Sequence, residues 1–221
     1  MRLPPPCSLT YAHAIGVCGR CGQPDEALTL FQKMQDEGVR VNLKTYLAAM
    51  RALLAAGPER ARGVLELFKD MCSVGVKRDT AAYEVATEAC AMLGDWEQAM
   101  ELLAQMRQCS VKPTTRVYNA MLLSLTRGGR WYRCLHILGT MGQEGELDEP
   151  NLLSYQYTIA ALSAVGEFKL AMELLPKMTA AHLRPTAIIY ELLLKAALAS
   201  DSDTAEGSEE VVTHMLVEAK A

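Results

Sequence analysis

Aromatic residues are scarce in this sequence: three Phe, two Trp and eight Tyr make up 6% of 221 residues, while Met reaches 12. Helix formers outnumber the β-branched and aromatic residues that suit a pleated sheet, which argues against an all-β fold. Neither sign of charge is in large excess, with 22 Lys and Arg against 26 Asp and Glu, a net charge of −4. A long hydrophobic run is missing as well. The most apolar stretch, residues 187–199, is interrupted by Glu191 and Lys195, short of the ~18–20 uncharged residues that span a bilayer, so no membrane insertion is expected. The opening Met1-Arg2-Leu3-Pro4-Pro5-Pro6 has neither the apolar core of a secretory signal nor an Arg- and Ser-rich amphipathic leader. Either a leader has been removed, the sequence starts inside a longer chain, or the protein stays where it is made. Half of the residues are apolar, enough for a substantial core and too many for a disordered or collagen-like chain.

Motifs that carry catalysis or bind metals are also wanting. Seven cysteines, an odd number without a secretory signal, point to a reducing compartment. Cys18-Gly19-Arg20-Cys21 has the spacing of half a zinc site, but no second pair completes four ligands. Cys18 and Cys90 each lie seven positions after a tyrosine, where small core residues are expected. The stretch from Asp201 to Glu210 begins like a calcium loop, yet Ala205 and Glu206 stand where a ligand and the turn glycine belong, and Val212 replaces the closing Glu. It reads as a solvated loop. His13, His136, His182 and His214 are scattered without a recurring Ser, Cys or carboxylate partner, so no triad is visible. A deaminase signature, a glycine-rich phosphate loop and an aspartate cluster for two-metal chemistry are missing too. The expectation is a non-enzyme without cofactor or metal.

What the sequence does have is a repeat. Tyrosines at Tyr11, Tyr46, Tyr83, Tyr118, Tyr155 and Tyr190 are followed by methionines at Met34, Met71, Met106, Met141, Met178 and Met215, so successive units are about 35–37 residues long. After Tyr46, Tyr118 and Tyr190, apolar residues recur three, four and seven positions on, as in Met121, Leu122 and Leu125. Before the first five of these methionines the mirror pattern occurs, as in Ala99, Leu102 and Leu103. Each is one stripe on one helix. Gly22-Gln23-Pro24, Gly57-Pro58, Gly94-Asp95, Gly128-Gly129 and Gly166-Glu167 separate the two helices, glycine ending one and Pro or an acid opening the next. The units are helical hairpins. Their boundaries fall at 8–42, 43–79, 80–114, 115–151, 152–186 and 187–221, within one continuous domain, 1–221. Unit two carries two extra residues in its turn, unit four an acidic insertion between Gly142 and Pro150, and unit six an eroded turn. Pro176 lies inside a second helix and should kink it, at a cost of about 3 kcal/mol. The sixth unit reads as a terminal cap.

Four units close on Gly38-Val39-Arg40-Val41-Asn42, Gly75-Val76-Lys77-Arg78-Asp79, Ser110-Val111-Lys112-Pro113-Thr114 and His182-Leu183-Arg184-Pro185-Thr186. With the early tyrosine and a Leu-Phe-x-x-Met stretch, this unit resembles the pentatricopeptide repeat. The tetratricopeptide pattern, with its Trp-x-x-Leu-Gly, is not present. The resemblance implies an all-α fold, a right-handed superhelical α-solenoid of about six helix-turn-helix repeats. It also implies binding of single-stranded RNA in a mitochondrion or plastid, one base per repeat, by the residue after the tyrosine and the last residue of the unit.

Carried onto this sequence, those pairs are Ala12 with Asn42, Leu47 with Asp79, Glu84 with Thr114, Asn119 with Asn151 and Gln156 with Thr186. Only Asn119 with Asn151 is a base-reading combination, of the kind that favours pyrimidines; Asn42 and Asp79 keep half of a pair. Arg116 lies beside Tyr118, and Arg20, Arg51, Arg127 and Lys195 are the other candidate inner-face cations that the resemblance implies. A pI of about 5.6 is low for a reader whose affinity comes largely from phosphate neutralisation. The first expectation is therefore a non-catalytic RNA-binding factor supporting RNA processing, stability or translation, weak on its own. The alternative is a protein-interaction scaffold within a larger organellar assembly such as a mitochondrial ribosome.

Overall fold

The computed structural model describes residues 7–142 and 149–199, together with Glu209, Val211 and Thr213. Among them are twelve α-helical segments, one 3-10 turn and no strand. No described helix is long and apolar enough to cross a membrane. The chain divides into two compact units, Met1–Pro113 and Thr114–Ala221.

The first unit holds three hairpins, α1 (Ser8–Arg20) with α2 (Pro24–Asp36), α3 (Leu43–Ala55) with α4 (Ala61–Ser73), and α5 (Thr80–Leu93) with α6 (Trp96–Gln108). Tyr11, Tyr46 and Tyr83 each fall on the fourth residue of a first helix and are buried. The hydroxyls of the first two reach back to acids at the end of the same hairpin: Tyr11 Oη donates to Glu37 Oε2 at 2.6 Å, and Tyr46 Oη to Asp70 Oδ2 at 2.5 Å. Hairpins cover one another through aromatic pairs. Phe31 of α2 meets the Tyr46 ring edge-on at 5.0 Å between centroids, and Phe68 of α4 meets Tyr83 at 5.1 Å. Met34, Met71 and Met106 are fully buried beneath these contacts.

Turn chemistry explains the recurring glycines. After α2 the Val39 amide donates to the Met34 carbonyl at 3.0 Å and the Gly38 amide to Gln35 at 2.9 Å, with Gly38 at φ 68°. This 6→1, 5→2 arrangement satisfies orphan carbonyls only if one residue turns left-handed. The repeat methionine is thus the carbonyl that the closing Val or Leu returns to, again in Val76 to Met71 and Val111 to Met106. In the two-residue insertion of the second hairpin the chain forms a 3-10 turn, Pro58–Arg60.

Cys90 is buried, as its spacing predicts, but Cys18 is only half-buried. Its equivalents Leu53 and Cys90 belong to hairpins with another in front of them, whereas α1 has no hairpin in front of it among the described residues.

The second unit holds α7 (Thr115–Arg127) with α8 (Trp131–Thr140), α9 (Leu152–Ser163) with α10 (Phe168–Met172) and α11 (Leu174–Ala180), and α12 (Ala187–Ala199). Tyr118, Tyr155 and Tyr190 again occupy the fourth place of a first helix and are buried. The single second helix expected in the fifth hairpin is broken after Met172. Pro176 is four residues beyond that point: its ring displaces the Met172 carbonyl and it offers no amide to bond it. Met141 and Met178 are buried. Met215, His214 and the loop from Asp201 to Ser208 lie outside the described residues, as do positions 143–148 of the acidic insertion.

Candidate nucleic-acid interface

In the second unit, the closing residue of one hairpin is also the N-cap of the next first helix. Asn151 has an extended backbone and its Oδ1 accepts from the Ser154 amide at 3.1 Å, while the Asn151 amide donates to Ser154 Oγ at 3.1 Å. This reciprocal capping satisfies two amides at once. It also aims the Asn151 side chain at α7. Asn119 Nδ2 donates to Asn151 Oδ1 at 3.1 Å, and Ser154 Oγ donates to Asn119 Oδ1 at 2.6 Å. Asn119 and Asn151, 32 positions apart in sequence, therefore meet. Ser154 is buried, Asn119 half-buried and Asn151 exposed. Within this network the amide oxygens are the atoms most used, and Asn151 Nδ2 has no partner among the described residues. An amide N–H of that kind can donate to a base edge.

The remaining sequence-predicted residues are placed differently. Asn42 caps α3 in the same reciprocal way with Thr45, and its Nδ2 donates to Ser8 Oγ at 2.6 Å. Its pair partner Ala12 is buried. Asp79 caps α5 through the Ala82 amide at 2.9 Å, and Leu47 across from it is apolar. Arg116 is exposed on the first turn of α7. Thr186 Oγ1 is buried with no hydrogen-bond partner among the described residues.

Two features escape a reading of motifs alone. Ser154 ties the asparagine pair together, and its signal was the Asn-x-x-Ser spacing shared with Asn42-x-x-Thr45. The other feature belongs to the first unit, where a cleft of about 600 Å³ opens between α1 and α3. The helices approach closely beneath it because Gly19 lacks a side chain: a Cβ there would lie 2.7 Å from Ala52 Cβ. Among the described residues no group of three or more His, Cys, Asp or Glu side chains could hold a metal ion.

A chain of tandem helical hairpins, each with a buried tyrosine early in its first helix, defines a helical-repeat protein. The family model for the pentacotripeptide-repeat region of PRORP matches residues 6–145, and a pentatricopeptide repeat domain model matches residues 134–198. The chain belongs to the pentatricopeptide repeat family. A chloroplastic pentatricopeptide repeat-containing protein of Arabidopsis thaliana is 30% identical over 113 residues, 51% of this chain and 22% of that protein. Among solved structures, PPR10 from maize superposes with a TM-score of 0.67 at 21% identity, covering 96% of this chain and 29% of that one. PPR10 has also been solved in complex with an 18-nt psaJ RNA element. The PPR domain of Arabidopsis thaliana protein-only RNase P 1, in complex with tRNA, gives 0.74 at 16% identity, covering 86% of this chain and 97% of that one. These structural likenesses establish the fold. The chain spans about a fifth of that curated relative's length.

Proposed function

We propose that this chain is a non-catalytic pentatricopeptide-repeat protein that binds single-stranded RNA in a mitochondrion or plastid, in support of RNA processing, stability or translation. The observation that carries this reading is the Asn119–Asn151–Ser154 network, in which two amides from different helices meet at an exposed edge with N–H donors to spare. PPR10 and the RNase P 1 domain, both similar in fold, are known in RNA complexes, and the 30% identical relative is chloroplastic. Arg116, one turn from Asn119, adds a cation, while Asn42 and Asp79 contribute at most one half of a reading pair each.

A gel-shift or anisotropy titration of the purified chain at low salt, with pyrimidine-rich and purine-rich strands, tests this. Asn151→Ala would remove a helix cap, worth about 1 kcal/mol of stability, so the informative change is Asn151→Ser with Asn119→Ala, which keeps a capping oxygen. Pyrimidine-rich binding should weaken by about 1–3 kcal/mol with folding intact. Unchanged affinity, or no affinity in the parent, favours the second reading, a scaffold within a larger organellar assembly such as a mitochondrial ribosome. The net charge of −4 and the acids Glu84 and Glu88 on α5 speak for that one.

A further inference from the structure

Between its second helices, α2 and α4, the first unit has a trough of about 710 Å³ that shares no lining residue with the cleft between α1 and α3. Two local features of the second hairpin shape it. The first is Gly63. Among the hairpins whose second helices are described, the place eight positions before the repeat methionine is filled by Glu26, Gln98, Arg133 and Leu170; in the second hairpin it is a glycine, a poor helix residue. A Cβ on Gly63 would lie 3.2 Å from Leu53 Cδ1, so a side chain there would stand in the trough directly over its floor. The second feature is the two-residue insertion. Its 3-10 turn, Pro58–Arg60, carries Arg60 to Asp25 in the first turn of α2, with Nη2 2.7 and 3.0 Å from the two carboxylate oxygens. That contact bridges the two hairpins at one end of the trough.

The floor is apolar, formed by Leu28, Phe31, Leu53 and Leu67, and the rim is acidic. Glu59, Glu66 and Asp70 line it, while Arg60, the one cation among the lining residues, is already held by Asp25. Arg62 and Lys69 of α4 do not line it; they lie roughly 100° round the helix from the lining face. A negative rim over an apolar floor repels a phosphate chain and attracts a cation with apolar surface beside it. From Glu59 to Asp70 the trough runs roughly 16 Å, about three helical turns. Its volume over that length leaves room for one row of side chains, the ridge of a helix. The walls are helices whose backbone groups are bonded internally, so an added strand would find no edge to pair with.

We propose that the α2–α4 trough docks a basic amphipathic helix of a protein partner, whose apolar ridge packs over Gly63 and Leu53 while its Lys or Arg side chains meet Glu59 and Glu66. The trough contains none of the residues of the RNA-binding reading, and the inference does not depend on that reading.

Fluorescence anisotropy of the full chain with a labelled peptide of about 18 residues, leucines on one helical face and lysines on the other, tests the proposal. The peptide should bind the parent. Two companion peptides, one with glutamate for each lysine and one with alanine for each leucine, should bind at least about tenfold more weakly. Gly63→Gln gives the second hairpin the side chain that Gln98 supplies in the third. It should fill the trough and weaken lysine-peptide binding by more than about tenfold, with helix content by circular dichroism unchanged. Glu59→Gln with Glu66→Gln alters exposed residues only and should weaken binding by about tenfold, the contribution of two rim ion pairs; this arm decides the matter if Gly63→Gln packs badly against Leu53. Glu97→Gln with Glu101→Gln removes equal charge from exposed positions on α6 and should leave binding unchanged. Unchanged affinity in Glu59→Gln/Glu66→Gln, equal binding of the glutamate peptide, or no binding to the parent overturns the proposal. Oligo(U) affinity that falls in Gly63→Gln assigns the trough to RNA and overturns it too. So does a parent dimer in sedimentation velocity that Gly63→Gln dissociates, because a second copy of the chain then covers the trough.

Discussion

Tyr46→Phe isolates one hydrogen bond of the repeat without disturbing its packing. The Tyr46 side chain is fully buried, its ring sits edge-on against Phe31 at 5.0 Å, and its hydroxyl donates to Asp70 Oδ2 at 2.5 Å. Phenylalanine keeps the ring and removes only the donor. A hydrogen bond to a charged group contributes about 1.5–3 kcal/mol net. Asp70 is half-buried and its Oδ1 keeps the Ser73 hydroxyl at 2.9 Å, so solvent and that second donor offset part of the loss. The expected cost is in the lower half of the range, about 1.5–2 kcal/mol. For a chain of this size that corresponds to a melting temperature lower by about 3–8 °C. Trp96 lies in the first compact unit and Trp131 in the second, so in a Trp131→Phe background urea unfolding followed by Trp96 fluorescence reports on the unit that contains Tyr46. A double-mutant cycle with Asp70→Ala should give a coupling of about 1 kcal/mol or more. A cost below about 0.3 kcal/mol, or a coupling of zero, would show that the tyrosine is held by burial alone.

Backbone geometry and titration supply two more expectations. Ser110 is held at φ 55° in the place where Gly38 and Gly75 sit at 68° and 77°, and an L-residue pays about 1–2 kcal/mol there against the entropy cost of glycine. Ser110→Gly should raise the urea midpoint by the equivalent of about 0.5–1 kcal/mol; a lower midpoint contradicts the turn argument. Burial pushes the Cys90 thiol up to about 12 and the Cys134 thiol to about 11, from an ordinary value of 9.0. Both are raised on folding, so their contribution is intact below about pH 9 and is lost as pH rises toward 11–12, at up to ~1.4 kcal/mol per pH unit for each thiol. Urea midpoints measured across that range should fall less steeply in Cys90→Ala, and an identical slope would mean that Cys90 is not desolvated.

The spacing of residues along the chain determined the hairpins, because a helical stripe and a left-handed turn are local events. Tyr and Met positions, the glycines at the turns and the break caused by Pro176 all act within one or two turns of helix, so they can be read before any fold is known. Capping is local in the same sense, although it emerged only with the structure: Asn42 and Asn151 each stand three residues before a hydroxyl that completes the cap. What the spacing could not decide is which side chains of different helices meet. Asn119 finds Asn151 and Ser154, and Tyr46 finds Asp70, at separations of 24 to 35 residues. The Ångström-scale fit of those groups depends on how closely helices approach, as at Gly19 against Ala52. The same holds for charge. Summed over the sequence, the chain is acidic, but electrostatic attraction falls off with distance and screening. Only the packing of α1 on α3 gathers Arg20, Lys44 and Arg51 around one cleft free of carboxylates.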